Sequence, residues 1–512
     1  MTTVPEAVRS AKRMIPRARQ CAQRTKGCGT PQAAVHRNLP TNGKSTAALI
    51  TDMLSSRTVS APSWPTRVQK PGPQAGVRDW FRRRPLLGAI LAGLLLRLAL
   101  IPFLYADELD PSREHMAFGW EVGRVAHSIA TGHGFGNLFY GETGPTAMTA
   151  PLYPYLMAGV FRLFGVYSAH SAIVLLVLQS IFAAITAAPV YWIARSTFGE
   201  RVATWSAWLW AFFPYSIYLS TARVYENSLD ALLLALLMWM ALRLGSGAGL
   251  GAWAGFGAAA GVAVLCHPGL LSVAFPLGVW AWWRRRPRPW EPCAAVLGLF
   301  VVLLPWQVRD YRTFHRLFPI RDNFWFECWL GNTGDLSDLY PDWGHPTANP
   351  AELDAYRKMG ELAYFDSKRE LFLTVLARHP GAFAYYTLKH VLLMWTEYWS
   401  FSRAYLQNVP TAIPHFFFCT AWSAGAFLGL RRAWKASRVT AMPYALVLFF
   451  FPLVYYVTHG GMDYRHPIDP VIVMLTANAV VGRGQQSAVW DASKGDRGFW
   501  MPSSIGRNSA HS

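Results

Sequence analysis

The chain is short of charge. Asp, Glu, Lys and Arg make up 15% of its 512 residues, where soluble domains carry about 25%. It also lacks the alternating strands and Gly-rich turns that a soluble enzyme of this length would show. Cysteine is scarce. The six are Cys21, Cys28, Cys266, Cys293, Cys328 and Cys419, and no C-x-x-C pair exists. Only Cys328 falls in a large extramembrane loop, so a disulfide framework is not expected and the thiols read as ordinary apolar residues. The 14 histidines form no His-x-x-x-His or His/Asp pattern. No metal site is expected from them, and dependence on a divalent cation stays open.

What the chain has instead is apolar length. Hydrophobic residues reach 52%, with 23 Trp. Runs of about 17–25 apolar residues are what a bilayer asks of a helix. The fold class expected is an all-α polytopic membrane protein with about ten spans. The candidates are 86–104, 170–194, 202–220, 226–243, 250–266, 268–283, 292–308, 411–430, 441–458 and 467–483.

The net charge of +19 does not belong to this apolar part. Residues 1–85 hold sixteen Lys/Arg against three Asp/Glu, which accounts for +13 of it. That segment has no sustained apolar period and reads as a disordered basic tail, with 484–512 as a second disordered tail. No folded nucleic-acid motif accompanies the charge, so membrane lipids and not nucleic acid are the expected partner.

Basic residues cluster at alternate span ends: Arg82–Arg84, Arg195 and Arg201, Arg243, Arg284–Arg286 with Arg288, and Arg431, Arg432, Lys435 and Arg438. The positive-inside rule puts these clusters and both termini in the cytoplasm. Counting either 150–165 or 381–399 as a span would break that alternation. Both are therefore expected as helices lying at the outer surface or inserting partly. Two outer loops follow, about 105–169 and 310–410.

The first outer loop opens with Asp107, Glu108, Asp110 and Glu114. Residues 116–131 then have helical period, with Phe118, Val122, Val125 and Ile129 on one face and Glu121, Arg124 and Ser128 beside it. An interfacial helix with its apolar face on the membrane is expected. Gly132 and Gly134 end it in a sharp turn, and Pro145, Pro151 and Pro154 keep the next stretch irregular. Irregular backbone at this depth must be packed in protein or line a watery cavity.

The run Gly132-x-Gly134-Phe135, then Pro145-Thr-Ala147 and Pro151-Leu-Tyr153-Pro154, resembles the GT-C membrane glycosyltransferases. Within that group it is similar to bacterial relatives of the protein O-mannosyltransferases and the lipid A aminoarabinose transferase, of glycosyltransferase family 39 type. Later blocks agree: Pro305-Trp-Gln-Val-Arg309, Gly331-Asn332, Gly360-Glu361 and Tyr464-Arg465-His466-Pro467-Ile468-Asp469-Pro470. The resemblance covers 86–483. It implies a GT-C fold with outer juxtamembrane helices and an inverting transfer of a hexose or pentose. The donor implied is a sugar on a polyprenyl phosphate, and the acceptor is a hydroxyl on a glycan, lipid or protein of the cell envelope. The place implied is the outer, periplasmic side of the inner (cytoplasmic) membrane.

A carboxylate of the first outer loop would act as general base, because an acceptor hydroxyl is a poor nucleophile until its proton is taken. Relatives usually carry Asp or Asp-Glu at the position that is Phe118 here. Glu121, one helical turn away, and the Asp107-Glu108 pair both remain candidates. Glu226, at the outer start of a span, matches a second acidic residue of the family; a carboxylate there needs a partner or a task. Arg465 and His466 sit at the outer mouth of the last span against the charge rule, where a helix N-terminus and a guanidinium fork suit the donor phosphate. Arg309 and His267 are further candidates for that anion. Arg124, Tyr153 and Tyr464 are expected to line the cavity. The alternative function is a polytopic transporter or a flippase for lipid-linked sugars, but no repeated halves are visible and the charges gather at outer span ends.

Overall fold

The computed structural model describes residues 84–104, 118–244, 248–285, 288, 290–332 and 344–482. They all belong to one compact unit, Gly72–Ser512. The expected tails, up to residue 83 and from 483 onward, lie outside the described residues, as do Asp107 and Glu108. Among the described residues the regular structure is helical, with one isolated bridge between Gly136 and Pro145. The all-helical membrane class is met.

Among the described residues, six helices are long and apolar enough to cross a membrane: Pro85–Leu104, Ala169–Phe198, Gly249–Cys266, Trp290–Phe314, Ala412–Ala436 and Arg438–Val457. The other four expected spans are shorter or broken. Residues 202–220 split into Glu200–Ala211 and Pro214–Thr221. Pro214 has no N–H to continue the ladder. The carbonyl of Ala211, freed by that break, accepts from Arg97 Nη1 at 2.8 Å, and Arg97 Nη2 reaches the Ser216 hydroxyl at 3.1 Å. A fully buried arginine in the first span thus serves the break in another. Residues 226–243 become Asn227–Arg243, of 17 residues. Residues 268–283 become a turn followed by Leu271–Arg285, with Pro276 inside. Residues 467–483 become the turn His466–Ile468 and the helix Asp469–Val481, of 13 residues.

Small residues let the spans approach closely. A Cβ on Gly257 would lie 1.8 Å from the Ala295 carbonyl, so helices Gly249–Cys266 and Trp290–Phe314 meet backbone to backbone there. Close approach through small residues is a common way for helices to associate in lipid, where apolar burial alone gives no drive.

The region expected to be outside is helical too. Trp120–Ala130 is an 11-residue helix. Its apolar face does not lie on lipid: Phe118, Val122, Val125 and Ile129 are buried in protein, and Phe118 meets the rings of Phe161 and Tyr167 edge-on at 5.7 and 5.3 Å. Those rings come from and just beyond helix Leu152–Phe164, whose 13 residues span about 20 Å, short of a bilayer core of about 30 Å. The second outer loop supplies Phe324–Asn332, Pro350–Met359, Glu361–Arg378 and Pro380–Thr396. Their aromatic residues, among them Phe326, Tyr356 and Tyr364, share one core with Phe118 and Phe161.

Candidate active site: carboxylates around Arg321

Glycine places the first carboxylate. Gly119 has φ +81°, and a Cβ there would meet the Val224 carbonyl at 2.6 Å. Only a residue without a side chain lets helix Trp120–Ala130 begin against Val224–Tyr225. Glu121, in the first turn, is thereby brought beside Glu226, the residue that precedes helix Asn227–Arg243. Gln179 fixes the same stretch from behind. Its carbonyl oxygen accepts from Tyr153 Oη (2.5 Å) and from the Tyr225 N–H (2.8 Å), while its amide donates to the Arg223 carbonyl (2.7 Å). Tyr153 therefore acts through Gln179 on the backbone that presents Glu226.

Glu121 faces His345, with Oε1 3.8 Å from Nε2. His345 Nδ1 in turn lies 2.5 Å from the Thr347 hydroxyl and 3.3 Å from the Thr347 N–H, which fixes the ring with Nε2 toward Glu121. Arg124 does not pair with Glu121; its guanidinium lies 4.0 Å over the Tyr140 ring. A third carboxylate, Glu327, comes from helix Phe324–Asn332. It accepts from Asn323 Nδ2 at 2.6 Å and lies 3.5 Å from His459 Nδ1. Burial pushes the Glu327 carboxyl upward, against the pull of Arg321 and His345. Burial, with Arg321 and His345 nearby, pushes His459 down to about 3, so it is neutral at ordinary pH. The ring of Tyr464 sits 4.3 Å from that of His459.

The cation common to this cluster is Arg321. It is a charged neighbour of Glu226, Glu327, His267 and His459. Its Nε donates to the Met148 carbonyl at 2.5 Å, tying it to the Pro-rich stretch of the first outer loop. The residue before it, Ile320, has φ +83°. A β-branched residue there is a true outlier, held by its surroundings, of the kind that gathers at functional sites. On its other side Arg321 lines a cavity of about 270 Å³ with Arg316, Asp322, Trp325 and Phe365.

Glu226 and His267 thus lie near Arg321, Glu121 joins them through Glu226 and Glu327, and Tyr464 through His459. His267 accepts from or donates to Tyr455 Oη at 2.9 Å, and burial pushes it down to about 3, so it offers no charge to an anion near neutral pH. Arg309 is engaged with the first outer loop, donating to the carbonyls of Thr146 and Phe135, both at 2.8 Å, and to Asp310 at 2.8 Å. Arg465 and His466 lie in a separate, fully buried network. Asp469 takes Arg465 Nε at 3.2 Å and His466 Nδ1 at 3.0 Å, Ser423 lies 3.4 Å from Arg465 Nη1, and Trp210 stacks on the His466 ring.

Sequence reasoning passed over Arg321, Glu327 and His459 and gave His345 no role. Arg321, Glu327 and His345 lie in a loop whose charges nearly balance, His459 just after an apolar helix, and no spacing sets them apart; the positive φ at Ile320 is visible only in three dimensions. Among the described residues, no group of three or more His, Cys, Asp or Glu is arranged to hold a metal ion.

Residues 148–307 match the family described as dolichyl-phosphate-mannose-protein mannosyltransferase. No curated protein matches the chain. Among solved structures, it is similar to the archaeal oligosaccharyltransferase AglB from Archaeoglobus fulgidus, in complex with an inhibitory peptide and a dolichol-phosphate. The TM-score is 0.47 at 14% identity, over 78% of this chain and 50% of that one. The same archaeal enzyme tethered to an acceptor peptide gives 0.46 at 15% identity, over 78% and 50%. ArnT from Cupriavidus metallidurans, bound to undecaprenyl phosphate, gives 0.31 at 14% identity, over 79% and 78%. The chain spans about half the length of the archaeal enzyme. The resemblance to membrane mannosyltransferases read in the sequence is therefore met over 148–307, a stretch that contains Tyr153, Glu226 and His267 and stops short of Arg309 and Arg321.

Proposed function

We propose that this multi-pass membrane protein is a GT-C type glycosyltransferase. It moves a sugar from a polyprenyl-phosphate donor to an acceptor hydroxyl at the outer face of the cytoplasmic membrane. The observation that carries this is the gathering of Glu121, Glu226 and Glu327, with Arg321 a neighbour of the last two, where helix ends meet the expected outer loops. The similarity of 148–307 to mannosyltransferases supports it.

Glu121 takes the proton of the acceptor hydroxyl. The oxygen attacks the anomeric carbon as its bond to the phosphate breaks, and the polyprenyl phosphate leaves with the electron pair. One displacement inverts the anomeric centre. Arg321 offers a planar fork to the phosphate oxygens and neutralises the charge that builds on the leaving group. His345 flanks Glu121 with Nε2 at 3.8 Å, and Glu226 keeps Arg321 oriented.

Two variants separate binding from chemistry. Glu121→Gln keeps size and removes basicity, so binding of undecaprenyl phosphate in nanodiscs is retained while turnover falls by about 10²–10⁴. Arg321→Ala weakens that binding by roughly ten- to a hundredfold, the worth of a hydrogen bond to a charged group, and Arg321→Lys recovers part. Release of free polyprenyl phosphate, followed by mass analysis, distinguishes transfer from transport of the intact donor. Full turnover in Glu121→Gln would move the base to Asp107 or Glu108.

A further inference from the structure

Behind Arg321 lies a second pair of acids that the mechanism above does not use. Glu361 begins helix Glu361–Arg378 and is buried. Its Oε2 accepts from the Thr146 hydroxyl at 2.5 Å and the Tyr356 hydroxyl at 2.7 Å, and its Oε1 accepts from the Ala147 N–H at 2.5 Å. Asp322 follows Arg321 directly. Its own N–H donates to the Ala147 carbonyl at 3.3 Å. Both Asp322 carboxyl oxygens are buried and take no donor from any other described group, yet the carboxyl lies within hydrogen-bonding reach of Glu361. Two ionised carboxylates cannot share that position, because neither has a proton to give.

We propose that Asp322 and Glu361 share one proton, carried on Asp322 and donated to Glu361. The pair so formed is a clasp that positions the Thr146–Met148 backbone and, through the Met148 carbonyl, Arg321. The donor count decides where the proton sits. Glu361 already accepts three hydrogen bonds, as an ionised carboxylate does, and Asp322 accepts none. The clasp joins the first outer loop to the second and rests on the proposed function only for what Arg321 does once it is held.

The charged and titratable groups around the pair come from several elements. Arg321 is on the same segment, and Arg309 reaches the Thr146 carbonyl from helix Trp290–Phe314. Tyr356 comes from helix Pro350–Met359 and Tyr364 from Glu361–Arg378. Burial pushes both carboxyls upward; the Glu361 charge adds to this for Asp322, while the hydrogen bonds from Thr146, Ala147 and Tyr356 pull Glu361 back. Acids raised in the folded state bind more protons there than in the unfolded chain. The stability they contribute is therefore full below the ordinary carboxyl range and is lost as pH rises through the raised values.

Hydrogen exchange of the full chain in nanodiscs, read as protection over 145–149 from about pH 6 to about pH 9, tests the clasp. In the wild type, protection falls toward the alkaline end by roughly tenfold, the worth of one buried hydrogen bond. Asp322→Asn carries a permanent N–H donor toward Glu361 and keeps protection high across the range. Glu361→Gln turns an NH2 toward groups that themselves donate, and loses protection at every pH. An Asp322→Asn profile that tracks the wild type, or wild-type protection that ignores pH, overturns the shared proton whether or not the Glu361→Gln variant folds. The readout needs no donor lipid, so a wild type that fails to bind undecaprenyl phosphate overturns the proposed function alone.

Discussion

A side chain's charge says less about its task than its nearest partner does. Arg465 and His466 look in the sequence like cations waiting for an anion, but Asp469, four and three residues on, already meets both inside the protein. Asp469→Ala would leave a fully buried guanidinium without its carboxylate, and removing one partner of a buried pair costs about 3–5 kcal/mol. Thermal unfolding in detergent measures this. Arg465→Ala is expected to act in the same way, through stability. A loss of donor-lipid affinity at unchanged stability would instead return the phosphate to this pair.

At the level of elements, the decisive features are breaks and starts. Helix Trp120–Ala130 begins on two residues of positive φ, Gly119 and Trp120. This start aims Glu121 at its cluster. Gly119→Ala forces a Cβ to 2.6 Å from a carbonyl oxygen at φ +81°. The expected cost is about 1–3 kcal/mol for the strained backbone, and part of it is relieved by moving the helix start. Turnover should therefore fall more steeply than the melting temperature, and parallel losses in the two would show that the start does not position Glu121. Ends matter equally: Pro214 breaks one expected span, and the arginine that answers the break comes from a helix more than a hundred positions earlier.

For the whole molecule the testable property is sidedness. By the positive-inside rule, Arg284 and Arg288 are expected on the cytoplasmic side and the loop containing helix Pro350–Met359 outside. Asp354→Cys and Arg288→Cys place thiols at exposed positions on the two expected sides. With Cys21, Cys28 and Cys293 replaced by serine, a membrane-impermeant maleimide should label the first on intact cells and the second only after permeabilisation. The reverse result would invert the molecule and move the carboxylate cluster to the cytoplasmic face.

The sequence by itself determined the class. Scarce charge, long apolar runs and alternating arginines admit only a helical chain threaded through a bilayer, because lipid leaves the backbone no other way to satisfy its N–H and C=O groups. It also offered Glu226, since a carboxylate at a span end is costly enough to stand out, and Glu121 beside Asp107 and Glu108, by its place in the first loop. Tertiary structure decided the rest. Arg321, Glu327 and His345, from a balanced loop, and His459, from the end of a later helix, are ordinary residues until folding sets them against the first loop's carboxylates. The proton shared by Asp322 and Glu361 depends on two acids from different segments meeting at the Ala147 backbone. Partners brought together by the fold, far apart in the chain, leave no spacing to read.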